Sequence, residues 1–280
     1  MKSFILILFM VCQIEVFGGC GLENCKNPST LKRGKNLFAI ELDNRFSNFT
    51  FEDMDGYIEE ISLRISFYHQ DNWLIDFRVP YIALQYDHDE TEGFSNPILG
   101  FEKWFALESF SPLVGIQFEV PLGKDTKGVA ADHFEMLPFV GLGYQIDNYT
   151  FRLIAGYRFS LNDSSEEDSM VTPKKYHSEE PAAVETIEDV GHAFINYHAE
   201  EEAQIFLAAG RRFIQDKLYT GLQSTFRQVI VGDDKLFLMY GGPTIEFSAA
   251  HFKIQSQFNL PFSEDKKMNW SIALNLIVEF

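Results

Sequence analysis

Charged side chains in this chain alternate with apolar ones, and their chemistry is that of ions held face to face. Arg64 stands between Leu63 and Ile65, Asp76 and Arg78 flank Phe77, and Arg152 and Arg158 interrupt Phe151, Leu153, Tyr157 and Phe159. Glu102, Glu119, Glu135, Arg227, Glu246, Lys253 and Glu279 occupy the same kind of position. Opposed charges on one face of a sheet can set solute selectivity along a pathway. They can equally neutralise one another as a salt-bridged core, because narrow barrels fill with side chains. The sequence leaves both readings open.

Other chemistry has weaker support. The seven histidines are His69, His88, His133, His177, His192, His198 and His251. Hydrolysis by an activated nucleophile needs a Ser or Cys within reach of a His that a third group orients. None of the seven stands in a His-x-Ser context on a strand pattern. His192 and His198, six apart, share a strand face but have no Ser beside them. His177 with Glu179 and Glu180, and Asp87-His88-Asp89-Glu90, are oxygen-rich segments that could attract divalent cations. They lack a fixed ligand spacing, and a solvated acidic loop explains them more simply. There is no Cys-x-x-Cys and no Gly-rich phosphate loop. No catalytic residue, metal or cofactor is expected.

The elements that would carry the charges are strands. Phe38, Ile40 and Leu42 share one face over about 36–46, and Tyr57, Ile61, Leu63, Ile65 and Phe67 share one over 57–68. The other face of that second segment carries Glu60, Ser62, Arg64 and Ser66. Trp73, Ile75, Phe77, Val79 and Tyr81 follow, after the short turn His69-Gln70-Asp71-Asn72. Asp87 to Pro97 reads as a polar loop. Further segments are marked by Leu99, Phe101, Phe105 and Leu107, by Val114 to Val120, by Phe134 to Tyr144 and by Tyr149 to Leu161. Signals return at Val190 to Ala199, Gln204 to Phe213, Lys217 to Ile230, Leu236 to Phe247, His251 to Leu260 and Asn269 to Phe280. Each is near the nine to eleven residues that a tilted strand needs to cross a bilayer.

This count is odd, whereas bacterial transmembrane barrels have even numbers of antiparallel strands. Loop lengths put the discrepancy between Val190 and Ala249. Either two segments there are one interrupted strand, or the acidic stretch hides another. The expectation is an all-β antiparallel barrel of twelve strands, with fourteen as the alternative. It would occupy residues 35–280, with 162–189 as a long acidic outer loop.

The ends fit a chain exported to a membrane. Lys2 precedes the apolar run Phe4 to Cys12, and small residues Gly18 to Gly21 follow, which reads as a signal peptide over residues 1–20. The run is too short to span a bilayer as a helix. Lipidation of Cys20 is a competing reading, and Cys20 and Cys25 could pair if both survive cleavage. Residues 21–34 form a polar lead-in. At the other end Trp270, Ile272, Leu274, Leu276, Val278 and Phe280 fall on every second position. This resembles the C-terminal assembly signal of bacterial outer-membrane β-barrels, with Trp270, Leu274, Leu276, Val278 and Phe280 as its apolar and aromatic members.

Composition agrees. The 280 residues contain 28 Phe, 11 Tyr and 3 Trp, which suits lipid-facing surface and interfacial girdles. Twenty-three basic against 41 acidic residues, a formal charge of −18, argue against nucleic acid as a partner. Loss of residues 1–20 removes Lys2 and Glu15 and leaves that charge unchanged.

Gly93-Phe94-Ser95-Asn96-Pro97-Ile98-Leu99-Gly100 with Trp104-Phe105, and Phe118-Glu119-Val120-Pro121-Leu122-Gly123-Lys124, resemble motifs of the phenol meta-pathway transporter-type outer-membrane proteins. Leu137-Pro138-Phe139, Gly143-Tyr144 and Gly156-Tyr157-Arg158-Phe159 also fit that family's rhythm, over Trp73 to Leu161 and the last strand. Ser95-Asn96 replaces the Gly-Asp usual there. The resemblance implies a porin-like channel in the outer membrane of a Gram-negative cell, for passive transport of small solutes, apolar ones included. Its lining would comprise Arg64, Asp76, Arg78, Glu102, Glu119, Arg152, Arg158, Arg227, Glu246 and Lys253. Outer-membrane lipid, the barrel-assembly machinery and a small solute are the expected partners. Two alternatives stay open: a non-transporting surface barrel that binds a partner through its outer loops, and an outer-membrane lipid hydrolase.

Overall fold

Strands that are apolar on one face and polar on the other bury neither face alone. In lipid, closure into a barrel pairs every backbone group and turns the apolar faces outward. The structure, a computed structural model, takes this form. It describes residues 36–51, 54–86, 89–105, 107, 109–122, 129–130, 133–161, 201–215, 217–231, 234–263 and 268–280. The expected signal peptide, the lead-in with Cys20 and Cys25, and the acidic stretch 162–189 lie outside these residues.

The strands are β1 (Leu37–Phe51), β2 (Met54–His69), β3 (Trp73–Tyr86), β4 (Asp89–Phe94), β5 (Ile98–Trp104), β6 (Phe110–Glu119) and β7 (Glu135–Ile146). They continue with β8 (Tyr149–Ser160), β9 (Glu201–Phe213), β10 (Leu218–Val231), β11 (Asp234–Ser248), β12 (Phe252–Pro261) and β13 (Trp270–Glu279). Every neighbouring pair is antiparallel. β1 closes the ring by pairing with both β2 and β13, so that Leu42 faces Leu63 on one side and Leu276 on the other.

The barrel has twelve staves, because β4 and β5 share one. β4 pairs with the far half of β3, with Tyr81 opposite Phe94. β5 pairs with the near half, with Arg78 opposite Ile98. Between these pairs Val79 and Pro80 face Ser95, Asn96 and Pro97, a bulge with one extra residue on the second strand. Ser95 N–H still donates to the Pro80 carbonyl at 3.0 Å. Within the segment whose polarity suggested a loop, residues 89–94 are therefore strand. This strand lacks an apolar face because it continues the wall beyond the lipid-facing belt.

The odd count resolves elsewhere. β8 pairs directly with β9, Leu153 opposite Leu207, and the ring closes without the strand expected at 190–199. Those residues lie outside the described ones.

Outward side chains form an apolar belt. Leu42, Leu63, Phe77, Leu153 and Leu276 are 40% to 46% exposed, and many other large apolar residues match them. A surface of this extent far exceeds the apolar patches of water-soluble monomers, so its partner is hydrocarbon. Aromatic pairs rim the belt at both ends. Phe38 with Phe280 and Phe110 with Tyr144 lie at the end that carries the C-terminus. Phe46 with Tyr57 and Tyr81 with Phe94 lie at the other. At the first rim the hairpin turns are tight, and the non-glycine residues with left-handed backbone among the described residues, Asn72, Asp147, Ile214 and Gln215, all fall there.

Candidate functional site

The candidate site is the barrel interior. All ten residues expected to line it fall on the inward side of their strands. Arg64, Asp76, Arg78, Glu102, Glu119, Arg158 and Glu246 are buried, whereas Arg152, Arg227 and Lys253 keep partial exposure. Three groupings build the interior.

The first spans β2 and β3. Register places Arg64 opposite Arg78 and Ser66 opposite Asp76, so the ion pairs form on the diagonal. Arg64 Nε donates to Asp76 Oδ1 at 2.8 Å. Arg78 pairs with Glu60, and its Nε donates to Ser62 Oγ at 3.1 Å. Gly100 on β5 leaves room for this set: a Cβ there would lie 2.6 Å from Asp76 Oδ2.

The second spans β7 to β10. Arg158 is clamped between two carboxylates: Nη1 lies 2.9 Å from Glu135 Oε2 and Nη2 lies 2.5 Å from Glu202 Oε2. Arg227 also pairs with Glu202, and His133 Nε2 lies 3.3 Å from Glu135 Oε1. Between the two ionic groupings sits an apolar cluster of Ile98, Trp104, Leu113, Leu137, Phe139, Ile154 and Phe206. Trp104 Nε1 donates to Glu102 Oε2 at 3.2 Å, and the Arg152 guanidinium lies 4.6 Å from the Phe206 ring centroid. Gly115 admits the Phe139 ring, which a Cβ would meet at 2.2 Å. The cluster itself is closed to solvent.

The third grouping, on β11 to β13 and β1, is rich in amides. Gln257 Nε2 donates to Asn259 Oδ1 at 2.8 Å, Asn259 Nδ2 to Ser271 Oγ at 2.9 Å and Gln255 Nε2 to Thr244 Oγ1 at 3.3 Å. Asn275 bonds Glu41, and Lys253 pairs with Glu279 at the C-terminal rim. Lys253, Gln255, Gln257, Asn259 and Asn275 all retain partial exposure although they point inward.

Sequence reasoning missed Glu202, Glu41 and Arg212 as inward charges. Glu202 lies just before the segment expected from Gln204, and extending that alternation by one step would have found it. Glu41 alternates with Ile40 and Leu42, and Arg212 lies 3.9 Å from Glu246.

The other expected chemistry is thinly represented. His69 Nδ1 lies 3.5 Å from Asp71 Oδ2 at the C-terminal rim. His251 is in a turn there, and His88, His177, His192 and His198 lie outside the described residues. Among the described residues no group of three or more His, Cys, Asp or Glu side chains is placed to hold a metal ion. Trp270, Leu274, Leu276, Val278 and Phe280 follow the outward parity of the last strand. Phe280 N–H donates to the Phe38 carbonyl at 2.8 Å.

No protein-family model and no curated protein matches the sequence. Among solved structures the chain is similar to an outer membrane channel from Pseudomonas putida F1, with a TM-score of 0.68 at 11% identity, covering 91% of this chain and 100% of that one. It is also similar to the translocator domain of the autotransporter NalP from Neisseria meningitidis, with a TM-score of 0.53 at 8% identity over 90% of each chain. The NanC porin aligns with a TM-score of 0.52 at 7% identity, over 86% of this chain and 98% of that one. At such identities the likeness is one of architecture: this chain is a closed, twelve-stave antiparallel β-barrel of the kind found in bacterial outer membranes.

Proposed function

We propose that the chain is a channel of the outer membrane, through which small solutes move passively. One observation carries the reading. The outside of the barrel is an apolar belt, while inward polar side chains from Lys253 to Asn259 remain accessible to water. Of the ten expected lining residues, Lys253 lies on that accessible row and would meet the solute, whereas Arg152 and Arg227 keep partial exposure on β8 and β10. Of the buried ones, Arg64, Asp76, Arg78, Arg158 and Glu246 would brace the wall through their ion pairs, and Glu102 through the hydrogen bond that it accepts from Trp104. The structural likeness to the Pseudomonas channel supports this, as does the resemblance of Gly93 to Gly100 to the phenol meta-pathway transporter type. The signal-like first twenty residues support outer-membrane location, and the alternating last strand would address the chain to the assembly machinery.

The packed ionic wall favours a second reading, a sealed barrel that acts only through its outer loops. Osmotic swelling separates the two. The chain refolded into liposomes should admit small osmolytes and let the vesicles re-swell. Vesicles that stay shrunken around a folded barrel would remove the channel.

A further inference from the structure

We infer that the pathway is eccentric, running along the inner face of β12 with β13 and β1, and that its amides favour small uncharged solutes bearing hydroxyl groups. This rests on the channel reading above.

The placement follows from which inward side chains water reaches. On β2, β3, β5, β6 and β7, short of Ser111 and Gln145 at the C-terminal rim, every described inward side chain larger than glycine is buried, from 0% exposure at Ile82 and Leu137 to 7% at Tyr68 and Tyr86. On β12 the opposite holds: Lys253, Gln255, Gln257 and Asn259, four successive inward positions, are all partly exposed. Asn275 on β13 and Arg45 on β1 are partly exposed beside them. From Lys253 to Asn259 the strand advances by roughly 20 Å, at about 3.3 Å per residue, which carries the row through most of the belt. A solute confined to the wet side would travel on this row and not on the barrel axis.

The chemistry of the row selects the solute. A primary amide offers two donors and an acceptor with no net charge. Gln255, Gln257 and Asn259 therefore present both halves of a hydrogen bond, as a hydroxyl group does. A polyol can exchange partners step by step along such a row. An anion or cation gains little from the fixed charges along it, because Lys253 is held by Glu279 at one end, Glu41 is bonded by Asn275 at the centre and Arg45 lies 3.9 Å from Asp43 towards the other end. An apolar solute would strip the amides of water and return no hydrogen bond. Of the small solutes that the family resemblance implies, the row thus favours hydroxylated ones over apolar ones.

The test uses the full chain refolded in liposomes and planar bilayers, with Cys12, Cys20 and Cys25 replaced by Ser. Xylose should enter about tenfold faster than xylonate, its carboxylate counterpart, the factor set by about one unmade hydrogen bond or uncompensated charge. Gln257→Leu should lower xylose influx by a similar factor while potassium conductance persists, and Gln257→Asn, which keeps the amide, should preserve the influx. Gln257→Cys modified with a bulky thiol reagent should close the conductance. Absence of all conductance and all influx would defeat the channel reading itself. Conductance with equal xylose and xylonate entry, or undiminished xylose entry in Gln257→Leu, would overturn the solute class. Conductance that survives modification at position 257 would overturn the route.

Discussion

Arg158 is the most sensitive point of the dry wall. Its guanidinium bridges Glu135 and Glu202, which are 3% and 1% exposed, so Arg158→Met leaves two carboxylates facing each other without their shared cation. Breaking a buried pair by removing one partner costs about 3–5 kcal/mol. Arg227 still pairs with Glu202 and His133 still reaches Glu135, so the loss should sit near the lower end, about 3 kcal/mol. Adding Glu135→Gln to Arg158→Met removes one stranded charge and should restore about 1–2 kcal/mol, within the usual range of coupling between contacting residues. Urea unfolding of the barrel refolded in liposomes, followed by tryptophan fluorescence and by heat-modifiable gel migration, would read both values. A loss under about 0.5 kcal/mol, typical of a solvated surface pair, would refute the reasoning. Water would then reach the Arg158 side of the barrel, and the asymmetry of the interior would fall with it.

Leu63 points outward near the middle of β2, opposite Leu42 and Val79, so Leu63→Arg should cost about 2–4 kcal/mol in a bilayer. A neutral result by equilibrium unfolding in liposomes would place the belt elsewhere. A Cβ at Gly242 would lie 2.0 Å from the Phe258 carbonyl oxygen, a backbone atom that cannot swing aside. Gly242→Ala should therefore loosen the pairing of β11 with β12 and cost about 1–3 kcal/mol, an overpacking penalty, read as a lowered urea midpoint. Deleting Phe280 should cut the amount of barrel assembled in cells far more than the yield of refolding from urea. Equal losses in both assays would make the residue a packing element and not an assembly signal.

Much of the architecture was legible from parity alone. The alternation of Ile61, Leu63 and Ile65 with Ser62, Arg64 and Ser66 assigns both faces of β2, because a strand in lipid has only two environments to satisfy. The same logic placed Arg78, Arg158 and Lys253 inside. It failed where the environment changes along one strand. Asp89 to Phe94 is polar on both faces because that wall rises beyond the belt, and its pattern is that of a loop. The bulge at Ser95-Asn96-Pro97 then shifts the parity, so that Phe94 and Leu99 both face outward although five positions apart. The partners of each charge were not legible either. Arg158 finds Glu202 across the hairpin gap between β8 and β9, and only the register of those strands brings them together. The division of the interior into a dry side and a wet side was equally hidden, since Gln257 and Gln117 look alike in sequence and differ only in what packs over them.

Single-channel recording in planar lipid bilayers addresses the central claim most directly. The refolded chain should give discrete, stable steps of conductance that follow the folded, heat-modifiable form. Folded barrel inserted in the bilayer with no conductance above the bare membrane would contradict a water-accessible path along β12 and leave the interior a salt-bridged plug.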